Sequence, residues 1–299
     1  MKKIAIIGAG KWGEALAFAF RKSCEVVITS RTKRDIEGFV SLDEALECEN
    51  IVITIPAQAI RKWLHKHYSF RNHNILVASK GIESDTGAFL NEIYEEFVPR
   101  SNLTYLSGPS FAKEVLLGLP TALVLNSHNR LIATKWSEIF PDFIKTYVST
   151  DVIGAEIGGA YKNVIAIAGG ICEGLKLGEN AKASLISRGL VEMARLGREF
   201  GAKEETFLSL SGAGDLFLTA NSRLSRNFRV GLGLANKKSL DEILKELKEV
   251  AEGVGTTKAL HTISKTNDIY LPIANEVYEI LEGKDTMQSL KDLLNTRRV

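Results

Sequence analysis

Lys162 lies in a stretch, Val152 to Leu175, crowded with small residues: Gly158, Gly159, Ala160, Ala166, Ala168, Gly169 and Gly170. Each glycine costs a helix about 1 kcal/mol relative to alanine, so a helix built this way repays them by close packing and reads as a buried central helix. A lysine in that setting is rarely structural. Desolvation disfavours its charge and lowers its pKa unless a partner holds it, which makes Lys162 a candidate proton donor and acceptor. Asp215, in Ser211-Gly212-Ala213-Gly214-Asp215-Leu216, falls in the first turn of a predicted helix, where a carboxylate complements the helix dipole. Ser225-Arg226-Asn227 brings together a hydroxyl, a guanidinium fork and an amide, a set suited to a phosphate dianion, though a surface turn has the same composition. Lys80 follows the short apolar strand Ile75 to Ala78, at the strand end where parallel sheets bind ligands; a solvated surface lysine is the plainer reading. Ser107-Gly108-Pro109-Ser110 marks a fixed turn, and Ser110 is expected to cap the helix that begins there, where a hydroxyl and unpaired backbone N–H groups suit an anion.

The elements that position these groups begin with Met1 to Phe20. The apolar run Ile4 to Ile7 stops at Gly8, and Gly10 and Gly13 follow before a helical pattern of small residues. In a dinucleotide-binding turn Gly8 permits the tight turn, Gly10 lets backbone approach a pyrophosphate, and Gly13 lets the helix pack against the strand. The helix opening near Lys11 aims its N–H groups and positive dipole end at that pyrophosphate. An ordinary strand-to-helix turn remains the alternative. After the next strand, Glu25 to Thr29, an NAD-selective fold places a carboxylate, yet Ser30-Arg31-Thr32-Lys33-Arg34 stands here and the first acid is Asp35. Arg31 therefore points to a pocket that tolerates or prefers NADP, against the reading of a solvated basic loop.

Strand and helix signals alternate up to about Thr150: helices over Ser41 to Glu49, Ala57 to His67, Gly87 to Phe97 and Leu131 to Phe140, and strands over Asn50 to Ile55, Thr104 to Leu106, Thr121 to Leu125 and Ile144 to Val148. Beyond Asp151 the periodicity is helical, with segments at Asn180 to Phe200, within Lys237 to Glu249, at Thr257 to Thr266 and at Pro272 to Leu281, and a glycine-punctuated loop at 250–257. The expected fold is α/β, an N-terminal Rossmann-type doubly wound sheet over residues 1–150 followed by an all-α domain over residues 151–299 that carries substrate and catalysis.

Composition narrows the function classes. A formal net charge of +2 gives no electrostatic call for nucleic acid or an anionic membrane. No apolar run is long enough to span a bilayer, and Lys2-Lys3 leads into a strand rather than a signal-peptide core. Cys24, Cys48 and Cys172 are scattered and unpaired by spacing, which argues for a reducing, cytoplasmic setting and for use in packing. His65 and His67 would face different sides of a helix, so no metal site is expected. The expected ligands are small molecules, with no nucleic acid and no membrane insertion, and the sequence leaves a homodimer open.

The chain resembles the bacterial NAD(P)-dependent glycerol-3-phosphate dehydrogenases over essentially its whole length. The resemblance rests on GAGKWGEALA at 8 to 17, SKG at 79 to 81, SGPSFAKE at 107 to 114, AYKNVIAIAGGI at 160 to 171, GENAKASLISRGL at 178 to 190, SGAGDLFLT at 211 to 219, SRN at 225 to 227 and VAEGV at 250 to 254. It implies reversible hydride transfer between NAD(P)H and C2 of dihydroxyacetone phosphate, giving sn-glycerol 3-phosphate for phospholipid synthesis. By similarity Lys162 is the acid/base, assisted by Asp215 and Lys80, and Lys80, Gly108, Ser110, Lys162, Asp215, Ser225, Arg226 and Asn227 line the substrate site. Gly8, Gly10, Lys11, Trp12, Gly13, Arg31, Lys80, Ala112, Arg226, Val250 and Glu252 would serve NADP or NAD. Lys11 and Glu14 depart from the family's usual Ser and Thr, and a carboxylate at Glu14 does not favour a pyrophosphate. Two rivals share parts of this pattern: another phospho- or hydroxyacid dehydrogenase of the same architecture, and a protein that senses NAD(P) without turning it over.

Overall fold

The computed structural model describes residues 3–295; Met1, Lys2 and residues 296–299, the outer ends of the two expected domains, lie outside the described residues. The chain forms two compact units, one of residues 1–80 with 90–156 and one of residues 81–89 with 157–299.

The first unit is built on seven strands: β1 (Lys3–Ile7), β2 (Glu25–Thr29), β3 (Asn50–Ile53), β4 (Asn74–Val77), β5 (Leu103–Ser107), β6 (Thr121–Asn126) and β7 (Ile144–Ser149), in the order β2-β1-β3-β4-β5-β6-β7. All neighbours run parallel except β5 and β6. Ile51, Val52 and Ile53 are fully buried, as a strand covered on both faces requires. The order reverses between β1 and β3, and in such sheets the ligand crevice lies beyond the strand ends at that reversal. The helices of this unit are α1 (Lys11–Phe20), α2 (Leu42–Leu46), α3 (Ile60–His67, after a 3-10 turn at Ala57–Ala59), α4 (Leu90–Glu95), α5 (Ala112–Leu116) and α6 (Arg130–Ser137). The core joins Ile4, Ile6 and Ile28 of the sheet to Leu16 and Phe20 of α1, and Phe20 meets Phe140 edge-on at 4.8 Å between ring centres.

One long helix, α7 (Val152–Gly174), follows β7, and the second unit continues with α8 (Glu179–Glu199), α9 (Glu204–Phe207), α10 (Asp215–Ala220), α11 (Arg226–Ala235), α12 (Leu240–Leu247), α13 (Glu252–Thr266), α14 (Pro272–Leu281) and α15 (Thr286–Asn295). The small residues of α7 do what their cost implies. A Cβ on Gly158 would crowd the Ser211 carbonyl oxygen, and one on Gly169 or Gly170 the carbonyls of Ala220 or Phe228, so neighbouring backbone lies directly against this helix.

Several boundaries differ from expectation for local reasons. The helix expected from Gly87 begins only at Leu90: Gly87 is left-handed at φ +76°, and Ile82 bridges Phe89 in a small antiparallel turn. The loop expected over 250–257 is helical from Glu252, and there Gly253 packs against the Asn163 carbonyl and the Asn227 side chain, where any larger residue would collide. Ser110 does not cap a helix. Phe111 occupies the N-cap of α5, and the Ser110 hydroxyl donates to the Gly108 carbonyl at 3.4 Å instead. Cys48 and Cys172 are buried and Cys24 partly so, and burial pushes each thiol's pKa up. No helix among the described residues is long and apolar enough to cross a membrane, and no group of three His, Cys, Asp or Glu among them is placed to hold a metal.

Candidate active site

The glycine turn of the first unit separates its three tasks cleanly. Gly8 sits at φ +117°, a conformation that side chains resist, and donates its N–H to Thr29 at 2.8 Å. A Cβ on Gly13 would strike the Gly8 carbonyl, so Gly13 is where α1 closes onto the turn. Nothing lies within 4 Å of a Cβ placed on Gly10, so backbone there is open to approach. Gly10 is the N-cap of α1, and no side chain caps the helix. An open backbone at an uncapped helix start fits a pyrophosphate. Thr54 completes the turn: its hydroxyl donates to the Gly8 carbonyl at 2.8 Å, a contact that its place in the expected strand Asn50 to Ile55 does not signal.

Around this turn Lys11 and Arg31 are exposed, and Trp12 and Ala112 are partly buried. Arg34, absent from the expected set, donates to the Ala9 carbonyl and approaches Glu14 at 2.8 Å. Lys80 donates through Nζ to the Gly108 carbonyl at 3.3 Å, where Gly108 is buried at φ +105° against Ala122 and Leu123. Glu156, on α7, is a buried carboxyl in the same unit. Burial pushes its pKa up to about 8, although the N–H groups of Asn91 and Leu90 and the charge of Lys80 pull it back.

In the second unit Lys162 is 7% exposed and Asp215 1%. Lys162 Nζ meets Asp215 Oδ1 at 2.5 Å, and the Thr219 hydroxyl donates to the same oxygen at 3.3 Å. The helices make this pair possible: α7 carries the lysine through a close-packed layer, and a π turn at Leu210–Gly214 delivers Asp215 to the start of α10. Asn163, the next residue on α7, accepts from Asn227 at 2.9 Å, and the Asn227 oxygen accepts from the Gly253 N–H at 3.0 Å. Those two bonds tie α7, α11 and α13 together, so much of the Asn227 amide serves the scaffold. Ser225 caps α11, its hydroxyl accepting from the Phe228 N–H at 3.3 Å. Arg226 is 44% exposed, 3.7 Å from Glu249. Val250 is exposed and Glu252 opens α13. A second buried acid, Glu192 on α8, accepts from the Tyr161 hydroxyl at 2.8 Å and the Ile273 N–H at 2.9 Å; burial lifts its pKa to about 7, and its carboxyl satisfies the first N–H groups of α14.

The arrangement therefore offers a dinucleotide-type anion turn in one unit and a buried ammonium held by a carboxylate in the other. Comparison with known proteins bears on both. Residues 31–133 match the family model for the N-terminus of NAD-dependent glycerol-3-phosphate dehydrogenase, and residues 151–292 match the model for its C-terminus. The chain is 62% identical over 295 residues to the NAD(P)+ glycerol-3-phosphate dehydrogenase of Sulfurimonas denitrificans, covering 99% of this chain and 100% of that one. It is 58% identical over 292 residues to the corresponding protein of a Nitratiruptor species, with 98% of each covered. Among solved structures, glycerol-3-phosphate dehydrogenase from Coxiella burnetii aligns with a TM-score of 0.91 at 33% identity over 99% of both chains.

Proposed function

The chain belongs to the NAD-dependent glycerol-3-phosphate dehydrogenase family, and from that premise we propose that it transfers hydride reversibly between NAD(P)H and C2 of dihydroxyacetone phosphate, giving sn-glycerol 3-phosphate for phospholipid synthesis. The observation that carries the mechanism is the buried Lys162–Asp215 pair. We assign the dinucleotide to residues 1–150 and the catalytic chemistry to residues 151–299. Gly8, Gly10 and Gly13 with Lys11 and Trp12 hold the pyrophosphate region, and Arg31 takes the adenosine end. Bound there, the nicotinamide supplies the hydride.

The residues of the chain do the rest. Reduction at C2 leaves negative charge on the attached oxygen, and Lys162 Nζ delivers a proton to it. Asp215 holds the ammonium in place and keeps it charged before transfer, because a buried cation beside a carboxylate is stabilised in its ionised form. Lys80 adds positive charge, its Nζ oriented by the Gly108 carbonyl, and Ser110 adds a hydroxyl. Arg226 takes the substrate phosphate through its planar fork, with the capping Ser225 beside it and Asn227 supplying an amide N–H. We place the protein in the cytoplasm, the compartment suggested by three cysteines with no disulfide pattern.

The test follows nicotinamide absorbance with dihydroxyacetone phosphate, with unphosphorylated dihydroxyacetone and with 2-keto acids. Turnover of the phosphate ester alone is expected. Equal use of dihydroxyacetone would remove the phosphate-binding role, preference for a 2-keto acid would move the chain to hydroxyacid chemistry, and binding without turnover would make it a sensor.

A further inference from the structure

The proposed reaction does not use the contact between Glu14 and Arg34. Glu14 lies in the first turn of α1, where the helix dipole favours an anion and where the pyrophosphate would also go. Arg34 comes from the irregular stretch after β2, twenty residues later in the chain, yet its Nη1 reaches back to the glycine turn. That nitrogen donates to the Ala9 carbonyl and stands 2.8 Å from Glu14 Oε1. The guanidinium thus spans from the loop expected to read the adenosine ribose to the turn expected to hold the phosphates. Glu14 is an unusual residue for this family, and Arg34 supplies the positive charge that makes it tolerable there.

The pair is open to competition. The Arg34 side chain is 47% exposed and that of Glu14 33%, so water screens the attraction and the contact is weak. It engages one guanidinium nitrogen, whereas a phosphate dianion can take two in parallel with twice the charge. We infer that Glu14 and Arg34 form a selectivity latch: Arg34 leaves Glu14 to meet the 2′-phosphate of NADP, so Glu14 acts as an internal competitor against NADPH. NADH brings no second anion to this loop and leaves the latch closed. Glu14 is then a specificity-determining residue that acts through Arg34 and touches no reacting atom.

The inference rests on the dinucleotide-binding role assigned above to this unit. Dissociation constants for NADPH and NADH, read by titration calorimetry on wild type, Glu14→Gln, Arg34→Ala and the double variant, test it. Both positions are partly exposed, and thermal unfolding of each variant confirms that the fold is kept. Arg34→Ala is expected to weaken NADPH by about tenfold, the scale of one lost hydrogen bond to a charged group, with NADH changed by less than about twofold. Glu14→Gln is expected to tighten NADPH by roughly three- to tenfold while leaving NADH nearly unchanged, and to have no effect once Arg34 is alanine. Equal tightening of both cofactors by Glu14→Gln would show that Glu14 simply repels the pyrophosphate, and would overturn the latch. So would a gain that persists in the Arg34→Ala background, or no gain at all. Failure of the wild type to bind either dinucleotide would bring down the parent assignment itself.

Discussion

Helix α7 carries two buried charge-bearing groups that meet opposite fates. Glu156 is enclosed in the first unit and accepts from the N–H groups of Leu90 and Asn91, its Oε2 has no hydrogen-bonding partner among the described residues, and burial pushes its pKa to about 8. Lys162, six residues on and in the second unit, is as deeply enclosed but meets Asp215 at 2.5 Å. The difference teaches how burial is turned to use. A buried carboxyl without a cation at hydrogen-bonding distance gives up its charge near neutral pH, whereas a carboxylate beside a buried ammonium stabilises the charged form. The first unit shows a further contrast in its glycine turn, which offers open backbone at an uncapped helix start with solvated cations around it, a design that relies on shape more than on any one charge.

Breaking the second half of that comparison should have the largest effect. Asp215→Asn leaves the Lys162 ammonium buried beside a neutral amide, and kcat measured by nicotinamide absorbance should fall by roughly 10²- to 10⁴-fold. Removing one partner of a buried pair costs about 3–5 kcal/mol, so denaturant unfolding of Asp215→Ala should show a loss of that order. The first half is sharpened by pH. Because the folded pKa of Glu156 lies above its unfolded value, its contribution to stability is complete below about pH 4.5 and is lost as pH rises through about 8, a fall of roughly 5 kcal/mol. The groups facing it are Lys80, Glu92, Tyr94 and Tyr105, and Glu192 titrates in the same window with a pKa of about 7. Unfolding of Glu156→Gln across pH 5 to 9 should lose that share of the slope and keep the share due to Glu192; an unchanged slope would mean Glu156 stays ionised.

Smaller effects distinguish the solvated cations. Arg226→Ala should lower kcat/KM for dihydroxyacetone phosphate by about 100-fold, the loss of two charge-assisted hydrogen bonds at about 1.5 kcal/mol each. Arg226→Lys should recover little of it, since an ammonium has no planar fork. NADPH affinity measured alongside separates the substrate effect from any on the cofactor. Arg31→Ala should weaken NADPH by about 1.5 kcal/mol and NADH by less, and equal losses would show that Arg31 does not read the 2′-phosphate.

Much of the first unit was legible because glycine types encode backbone demands locally: the turn announced at Gly8 and the close contact announced at Gly13 are found, and the backbone at Gly10 has open space beside it. The alternation of strands and helices gave a doubly wound sheet, and the reversal between β1 and β3 lies beside that turn. Lys162 was legible from the small residues around it. Its partner was not, because nothing in local spacing links Lys162 to a carboxylate 53 positions away, and only family resemblance joined them. The same limit hid Glu14 with Arg34 and Asn163 with Asn227. Asn227 looked like a phosphate ligand in sequence, whereas its oxygen and one N–H tie three helices together. Ser110 was expected as a cap because hydroxyl residues favour that position, but which of two adjacent residues starts a short helix depends on packing that sequence does not display.

The central claim is that Lys162 is the proton donor, and the most direct measurement is kcat for reduction of dihydroxyacetone phosphate by folded Lys162→Ala, with NADPH and NADH affinities determined on the same preparation. The account predicts a fall in kcat of roughly 10²- to 10⁴-fold with cofactor affinities little changed, the signature of a positioned acid. Turnover near that of the wild type would contradict it and remove Lys162 from the mechanism.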